Sequence, residues 1–344
     1  MAEDILIRTE GRAGRITLNR PGALNALTWE MCGRIEAALA DWAEDDALAL
    51  LLIDAAGEKA FCAGGDIAEM YATGMAGDFE YGRRFWADEY RMNARLFNFP
   101  KPVVSFLQGF TMGGGVGVGC HASHRIVGDG SKIAMPEVGI GLVPDVGGSL
   151  ILARAPGRLG EYLGVTAARM GPGDAILAGF ADYFIPEASW EALKAELCER
   201  GDPGAVDRAA QPAPDSPLAA RQDEIDDLFA FDALRDIVNA LKAAESDFAA
   251  ETLGAMGRNS PLSMACAVDL VRRVRVRDTI EAALELEYRF TSRAMEKGDF
   301  LEGIRAAIID KDRAPRWRHD DLTGASNADV SGMLMPLGAA GLKL

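Results

Sequence analysis

Pro102-Val103-Val104-Ser105-Phe106-Leu107-Gln108-Gly109-Phe110-Thr111-Met112-Gly113-Gly114-Gly115-Val116-Gly117 is the stretch that decides how this chain folds. Pro102–Leu107 reads as a strand, and the glycine-rich run from Gly109 turns the chain into a helix. The same grammar occurs upstream. Leu48–Asp54 is a continuous apolar run, as expected of a strand buried on both faces. Phe61-Cys62-Ala63-Gly64-Gly65-Asp66-Ile67 then reads as a strand end entering a helix. Strands alternating with helices predict an α/β architecture. No strict sequence repeat accompanies it.

The pattern extends outward in both directions. Ile5–Arg8 and Arg15–Asn19 read as short strands, the second with Ile16 and Leu18 on one face. Thr28 is placed to cap a helix carrying Met31, Ile35, Leu39 and Trp42 on one stripe. Gly201-Asp202-Pro203-Gly204 and Gln211-Pro212-Ala213-Pro214-Asp215-Ser216-Pro217 form a Pro-rich connection, beyond which nearly everything reads as helical. The clearest helix runs from Asp278 to Lys297, with Ile280, Leu284, Tyr288, Thr291 and Met295 on one stripe; Asp278 followed by Glu281 resembles a capping box. The expected organisation is an α/β core over residues 1–190, a mainly helical region over 191–324, and a tail over 325–344.

Composition narrows the function classes. Of 344 residues, 36 are Lys or Arg and 52 Asp or Glu, so the formal charge is −16. Nucleic acid and anionic membrane both need a basic face, so neither is the expected partner. The 49% hydrophobic content excludes global disorder. The long apolar run Leu48–Ile53 stops at Asp54, far short of the roughly 18 residues a spanning helix needs. The acidic start Met1-Ala2-Glu3-Asp4 lacks the basic-then-apolar order of a secretory signal and is too acidic for a transit peptide. Cys32, Cys62, Cys120, Cys198 and Cys266 are scattered and odd in number, which reads as reduced thiols in a cytoplasmic protein.

The two glycine turns are the sharpest chemical feature. Backbone N–H groups at such turns point one way, and a pair of them from different turns makes an oxyanion hole. Close helix packing is the competing explanation for a glycine cluster. No dinucleotide, P-loop or serine-elbow motif is present; Gly115-Val116-Gly117-Val118-Gly119 has the wrong spacing for the first two. With His121, His124 and His319 the only histidines, no metal site is expected and proton transfer falls to carboxylates. Glu137 and Asp145 sit in Ala134-Met135-Pro136-Glu137-Val138-Gly139-Ile140-Gly141-Leu142-Val143-Pro144-Asp145-Val146-Gly147-Gly148 among apolar and glycine residues. Burial and mutual repulsion are expected to raise at least one of their pKa values. Helix capping is the alternative for each, most directly for Asp145 before its glycine pair.

These segments, together with Leu18-Asn19-Arg20-Pro21-Gly22-Ala23-Leu24-Asn25-Ala26-Leu27 and Asp299-Phe300-Leu301-Glu302-Gly303-Ile304-Arg305-Ala306, resemble the crotonase (enoyl-CoA hydratase/isomerase) superfamily. Within it the chain looks most like the 3-hydroxyisobutyryl-CoA hydrolases. The resemblance implies a spiral of ββα turns with a helical C-terminal region. It implies an acyl-CoA thioester whose carbonyl oxygen lies between the amides of Gly65 and Gly114. Residues of Ala23–Ala26 and Ala63–Ile67, among them Ala23, Ala63, Asp66 and Ile67, would line the CoA. Hydratases of the family use two glutamates, and the first of those positions falls here on Gly117, which has no side chain. The hydrolase subgroup instead has Glu137 in its Pro-Glu motif, Asp145 in its Pro-Asp-Val-Gly-Gly motif, and Glu89 as a substrate contact. Val138 stands where Thr is common. A homo-oligomer, trimer or hexamer, is implied, and no metal or redox cofactor beyond the CoA of the substrate.

The expected activity is hydrolysis of a short hydroxyacyl-CoA, 3-hydroxyisobutyryl-CoA foremost, in valine breakdown. Glu137 would serve as nucleophile or general base, Asp145 would orient or deprotonate water, and Glu89 would bind the acyl hydroxyl. One rival is an enoyl-CoA hydratase or isomerase; another is a non-catalytic acyl-CoA-binding scaffold on the same fold. Arg20 and Lys59 are the expected local cations for the CoA phosphates on an otherwise acidic molecule.

Overall fold

In the computed structural model, which describes residues 3–344, β1 (Ile5–Glu10) and β2 (Ala13–Leu18) form an antiparallel hairpin. There follow β3 (Leu50–Ala55), β4 (Ala60–Cys62), β5 (Val103–Phe106), β6 (Phe110–Met112), β7 (His124–Val127), β8 (Lys132–Ala134) and β9 (Tyr183–Phe184). One sheet has the order β1-β2-β3-β5-β7-β9, and a smaller one the order β4-β6-β8. After the hairpin every pairing is parallel. The chain therefore lays one strand in the large sheet, the next in the small sheet, then makes a helical turn, and repeats. Those turns are Ala68–Met75 after β4, Gly114–Gly119 after β6 and the 3-10 segment Glu137–Ile140 after β8. This is a spiral of ββα turns.

The chain divides into two compact units. The first comprises Met1–Asp66, Asp88–Ala134 and Arg169–Ala219, and holds both sheets. Leu50, Leu52, Val104, Phe106 and Ile126 bury one face of the large sheet against Trp190, Leu193 and Leu197 of the Trp190–Arg200 helix. On the other face the Trp42 ring of the Trp29–Ala43 helix reaches Gly14 and the Leu51 side chain, all three meeting at one point. Coverage on both faces is why β3 reads as one unbroken apolar run. The run ends in a buried charge. Asp54 meets Arg15 at 2.6 Å, Thr17 at 2.6 Å and Lys194 at 3.2 Å. Burial alone would raise its carboxyl, but these partners outweigh that and hold it below the usual range. Thr28 caps the Trp29–Ala43 helix as expected, its Oγ1 accepting from the Met31 amide at 3.2 Å.

The second unit comprises Ile67–Ala87, Met135–Ala168 and Ala220–Leu344, and is helical. Its centre is the Pro261–Arg277 helix, packed against Gly148–Arg154, Leu159–Thr166, Ile280–Lys297 and Asn327–Leu334. Glu161 is fully buried there. Burial would raise its carboxyl, but bidentate bonds from Arg275 at 2.7 and 2.8 Å, with Arg158 at 3.1 Å, hold it low.

Two local expectations need correction. Thr279, not Asp278, caps the Ile280–Lys297 helix, its Oγ1 accepting from the Ala282 amide at 3.2 Å. Asp278 instead ends the preceding helix at φ 42°, a conformation that Asp tolerates better than most residues. The Pro-rich connection contains a helix, Gly204–Ala209, because Pro203 sits just before it with a helical φ. Within the stretch read as a tail, Asn327–Leu334 is helical, opened by a Ser326/Asp329 capping box and anchored by buried Met333 and Leu334.

Candidate active site

The small sheet positions the glycine-rich segments of the first unit. Its three parallel strands end on one edge, so the segments leaving them emerge together, as at the carboxyl edge of other parallel sheets. Ala63-Gly64-Gly65 leaves β4 and Gly113-Gly114-Gly115 leaves β6. The first of these segments is fixed by a short parallel bridge to Leu27: Leu27 donates to the Gly64 carbonyl at 2.9 Å, and Asp66 donates to the Leu27 carbonyl at 2.7 Å. That bridge leaves the Gly65 amide out of its pairing. Gly64 makes the turn at φ 113°, where a side chain would be strained.

Gly114 is the first residue of its helix, so its amide has no acceptor within the helix. A methyl at this position would lie 3.4 Å from the Gly65 nitrogen and 3.0 Å from Glu89 Oε1. The two expected oxyanion-hole residues and the expected substrate carboxylate therefore sit at one point of the first unit. Glu89 is 3% exposed, near the middle of the Glu80–Phe97 helix. Its charge reaches Cys32 and Cys62: burial first, then this charge, pushes the Cys62 thiol up to about 12 and that of Cys32 up as well. Neither thiol is a nucleophile near neutral pH. One turn beyond Glu89 on the same side of the helix lies Asn93, wholly buried, its amide nitrogen and oxygen without a hydrogen-bond partner among the described residues.

The expected CoA-lining loop is held rigidly in the same unit. Asn25 is buried at φ 56°; its Oδ1 accepts from the Arg20 amide at 2.8 Å, and its Nδ2 donates to the Ala56 and Ala60 carbonyls at 3.0 and 2.9 Å. Ala63 donates to the Leu24 carbonyl at 3.0 Å, tying Ala23–Ala26 to the segment leaving β4. Beside this loop is a cavity of about 410 Å³ lined by Pro21, Leu24, Asn25, Gly57, Glu58 and Lys59. Of the two expected cations, Lys59 is exposed on its wall, with no carboxylate within ion-pair distance among the described residues. Arg20 is different. Its guanidinium meets Asp66 at 2.9 Å, Asp4 at 3.2 Å and the Ala26 carbonyl at 2.6 Å, so its charge is spent inside the loop.

The second unit carries Ile67, Glu137 and Asp145. Glu137 opens the 3-10 turn Glu137–Ile140 and is 4% exposed. That turn is clamped by the Asp299–Ala306 segment. The space a side chain would need at Gly141 is filled by the Asp299 backbone at 2.5 Å, and Gly303 lies as closely against Ile140. Ser260 completes the clamp, its amide donating to the Val138 carbonyl at 2.9 Å and its hydroxyl to Asp299 at 2.6 Å. Asp145 is also 4% exposed, and it is not a helix cap: the helix begins at Gly148 with Gly147 as its cap residue. His124 bonds Ser123 at 3.0 Å and stacks on Tyr183, and the His121 ring meets Phe97 edge-on, so both serve packing.

The enoyl-CoA hydratase/isomerase family model matches residues 13–334. The chain belongs to the enoyl-CoA hydratase/isomerase family. It is 35% identical to the mitochondrial 3-hydroxyisobutyryl-CoA hydrolase of Gallus gallus, covering 100% of this chain and 91% of that one. The Danio rerio protein of the same name is 36% identical, with 99% and 92% covered. Among solved structures, an enoyl-CoA hydratase from Rhodobacter sphaeroides 2.4.1 is 56% identical with a TM-score of 0.95, covering 99% of this chain and 100% of its own. A carnitinyl-CoA dehydratase from Mycobacterium thermoresistibile is 40% identical with a TM-score of 0.94, with 99% of each chain covered.

One carboxyl of this family member escaped the sequence reading. Glu287 is fully buried on the Ile280–Lys297 helix. Its carboxyl is pushed up to about 8, chiefly by burial and also by the neighbouring charge of Asp145, against hydrogen bonds that favour ionisation. The signal was present. Position 287 lies three beyond Leu284 and four before Thr291, so it falls on the apolar stripe, where an unpartnered glutamate does not belong.

Proposed function

We propose that the chain hydrolyses a short 3-hydroxyacyl-CoA thioester, 3-hydroxyisobutyryl-CoA foremost, to the hydroxy acid and CoA. The observation that carries this reading is the meeting of Gly65, Gly114 and the Glu89 carboxylate at one point. Two amides there would hold the thioester oxygen, and a carboxylate beside them would accept a hydrogen bond from a hydroxyl on the acyl chain. Asn93, one turn along, offers the same chain a buried amide that gains from any hydrogen bond. The full-length likeness to proteins named 3-hydroxyisobutyryl-CoA hydrolase supports the choice, and valine breakdown is the pathway we propose for it.

Two routes use Glu137. As nucleophile, its carboxylate oxygen bonds the thioester carbon, the C–S bond breaks, and CoA leaves as thiolate and takes a proton. Water, deprotonated with help from Asp145, then opens the mixed anhydride and returns the Glu137 carboxylate. As general base, Glu137 takes the proton of a water that attacks directly. Polarisation comes from backbone amides, so the reaction needs no metal or redox cofactor. Lys59 beside the loop cavity would meet a CoA phosphate. Five buried, unpaired thiols suit a reducing compartment, for which we propose the cytoplasm; the curated relatives are named mitochondrial. Among the described residues no helix is long and apolar enough to cross a membrane.

A second reading, hydration of an enoyl-CoA, is favoured by the name of the Rhodobacter structure. It lacks a second glutamate, because the relevant position is Gly117 inside the buried Gly114–Gly119 helix. Product analysis by chromatography separates the two. Rapid release of 3-hydroxyisobutyrate with negligible water addition to crotonyl-CoA is the expected result, and robust hydration would put the second reading first. Glu89→Gln with Asn93→Ala should erase the preference for 3-hydroxypropionyl-CoA over propionyl-CoA; a preserved preference would mean the hydroxyl is recognised elsewhere.

A further inference from the structure

Between Pro144 and Ser149 the chain makes a turn that its own residues do not favour. Val146 has φ 53° and Gly147 φ 79°, two consecutive left-handed positions, the first occupied by a β-branched residue. Left-handed backbone at a valine persists only where the surroundings hold it. What holds it comes from far along the sequence. Glu287 Oε2 accepts from the Gly147 amide at 2.8 Å, Oε1 accepts from the Ser149 amide at 3.1 Å, and Oε1 also accepts from the Ser149 hydroxyl. Within the segment the Gly148 amide bonds back to the Asp145 carbonyl at 2.7 Å.

An aspartate commonly accepts, on its own carboxylate, from the amide two residues on. Here that amide, of Gly147, bonds Glu287, as does the Ser149 amide. The fold thus buries a second carboxyl completely, close enough to Asp145 for the Asp145 charge to add to the upward push on Glu287.

We propose that Glu287 is the positioning residue for Asp145: its bonds to the Gly147 and Ser149 amides fix the left-handed turn directly after Asp145, and so set where the Asp145 carboxylate stands for the reaction. This rests on the hydrolase reading above and on the role given there to Asp145.

The test is a double-mutant cycle on thioester hydrolysis by the full chain, with folding followed by thermal melting. A misplacement near 1 Å costs of order 100-fold, so Glu287→Ala should lower kcat by roughly that factor and leave KM within about three-fold. Glu287→Gln, which keeps one acceptor oxygen, should recover part of the rate. Because Glu287 acts through Asp145, Asp145→Ala combined with Glu287→Ala should be no slower than Asp145→Ala alone. Should Glu287→Ala fail to fold, the cycle runs with Glu287→Gln and Ser149→Ala, each of which removes part of the contact. Losses that multiply, or a wild-type kcat in the Glu287 variants, overturn the proposal while leaving the hydrolase reading intact. A wild-type rate in Asp145→Ala removes Asp145 from the mechanism, and this inference falls with it.

Discussion

Gly114 carries more of the proposed chemistry than any other residue, through what it lacks. Its missing methyl leaves room for the Glu89 carboxylate at 3.0 Å and the Leu27 side chain at 3.2 Å. Its backbone is helical, so Gly114→Ala should fold normally, yet Glu89 must then move by a few tenths of an ångström. We expect kcat/KM to fall at least ~10-fold with an unchanged melting temperature, since small displacements at a reacting centre are expensive. An unaltered kcat/KM would place the carbonyl elsewhere. Glu137→Gln makes the complementary case: losing a nucleophile or base costs at least ~100-fold in kcat, while calorimetry should show product binding retained. Near wild-type turnover would end both routes. At this scale the sequence was most legible where chemistry is written in residue type. Gly65, Gly114, Glu89, Glu137 and Asp145 are candidates that motifs can nominate; Glu287 is marked only by its odd place on an apolar stripe, since its partners, two backbone amides and the Ser149 hydroxyl, lie about 140 positions away.

At the scale of elements, strands and capped helices could be read because their causes are local. β3 declares itself by an unbroken apolar run, and Thr28 marks its helix start by a hydroxyl three residues ahead of an amide. The Asp278 cap was misplaced by one residue because Asp278 and Thr279 are both good cap residues. Only the left-handed backbone at Asp278, set by the end of the previous helix, decides between them. The helix carrying Glu287 allows a test of its own. The folded carboxyl, at about 8, lies above its ordinary value of 4.5, so between those values the folded state keeps a proton that the unfolded chain has released. Stability should therefore fall as pH rises from about 5 to 8, by at most ~1.4 kcal/mol per pH unit from this group, and level off above. Glu287→Gln, which does not ionise, should show a flatter melting profile across that window. Equal slopes in the two proteins would mean that Glu287 is charged throughout.

For the whole molecule, a charge of −16 confronts a substrate bearing several phosphates. Long-range attraction is absent, so the handle must be gripped locally, and of the two expected cations only Lys59 is available for it. Lys59→Glu should raise KM roughly five-fold, equivalent to about 1 kcal/mol, and leave kcat nearly intact. Salt dependence should be weak near physiological ionic strength, where the Debye length is about 8 Å. Arg20→Glu should instead lower the melting temperature, because it sets a third negative charge against Asp4 and Asp66; a pure KM effect would return Arg20 to the phosphates. The five cysteines lend the molecule one last property. All are buried, and burial pushes the thiols of Cys32, Cys62, Cys120 and Cys266 up, so the folded protein should be almost silent to a thiol-reactive dye. During turnover, colour would then report only the CoA set free. In denaturant, the successive appearance of five equivalents would time the opening of the chain, giving the enzyme an unmodified reporter of both its reaction and its own unfolding.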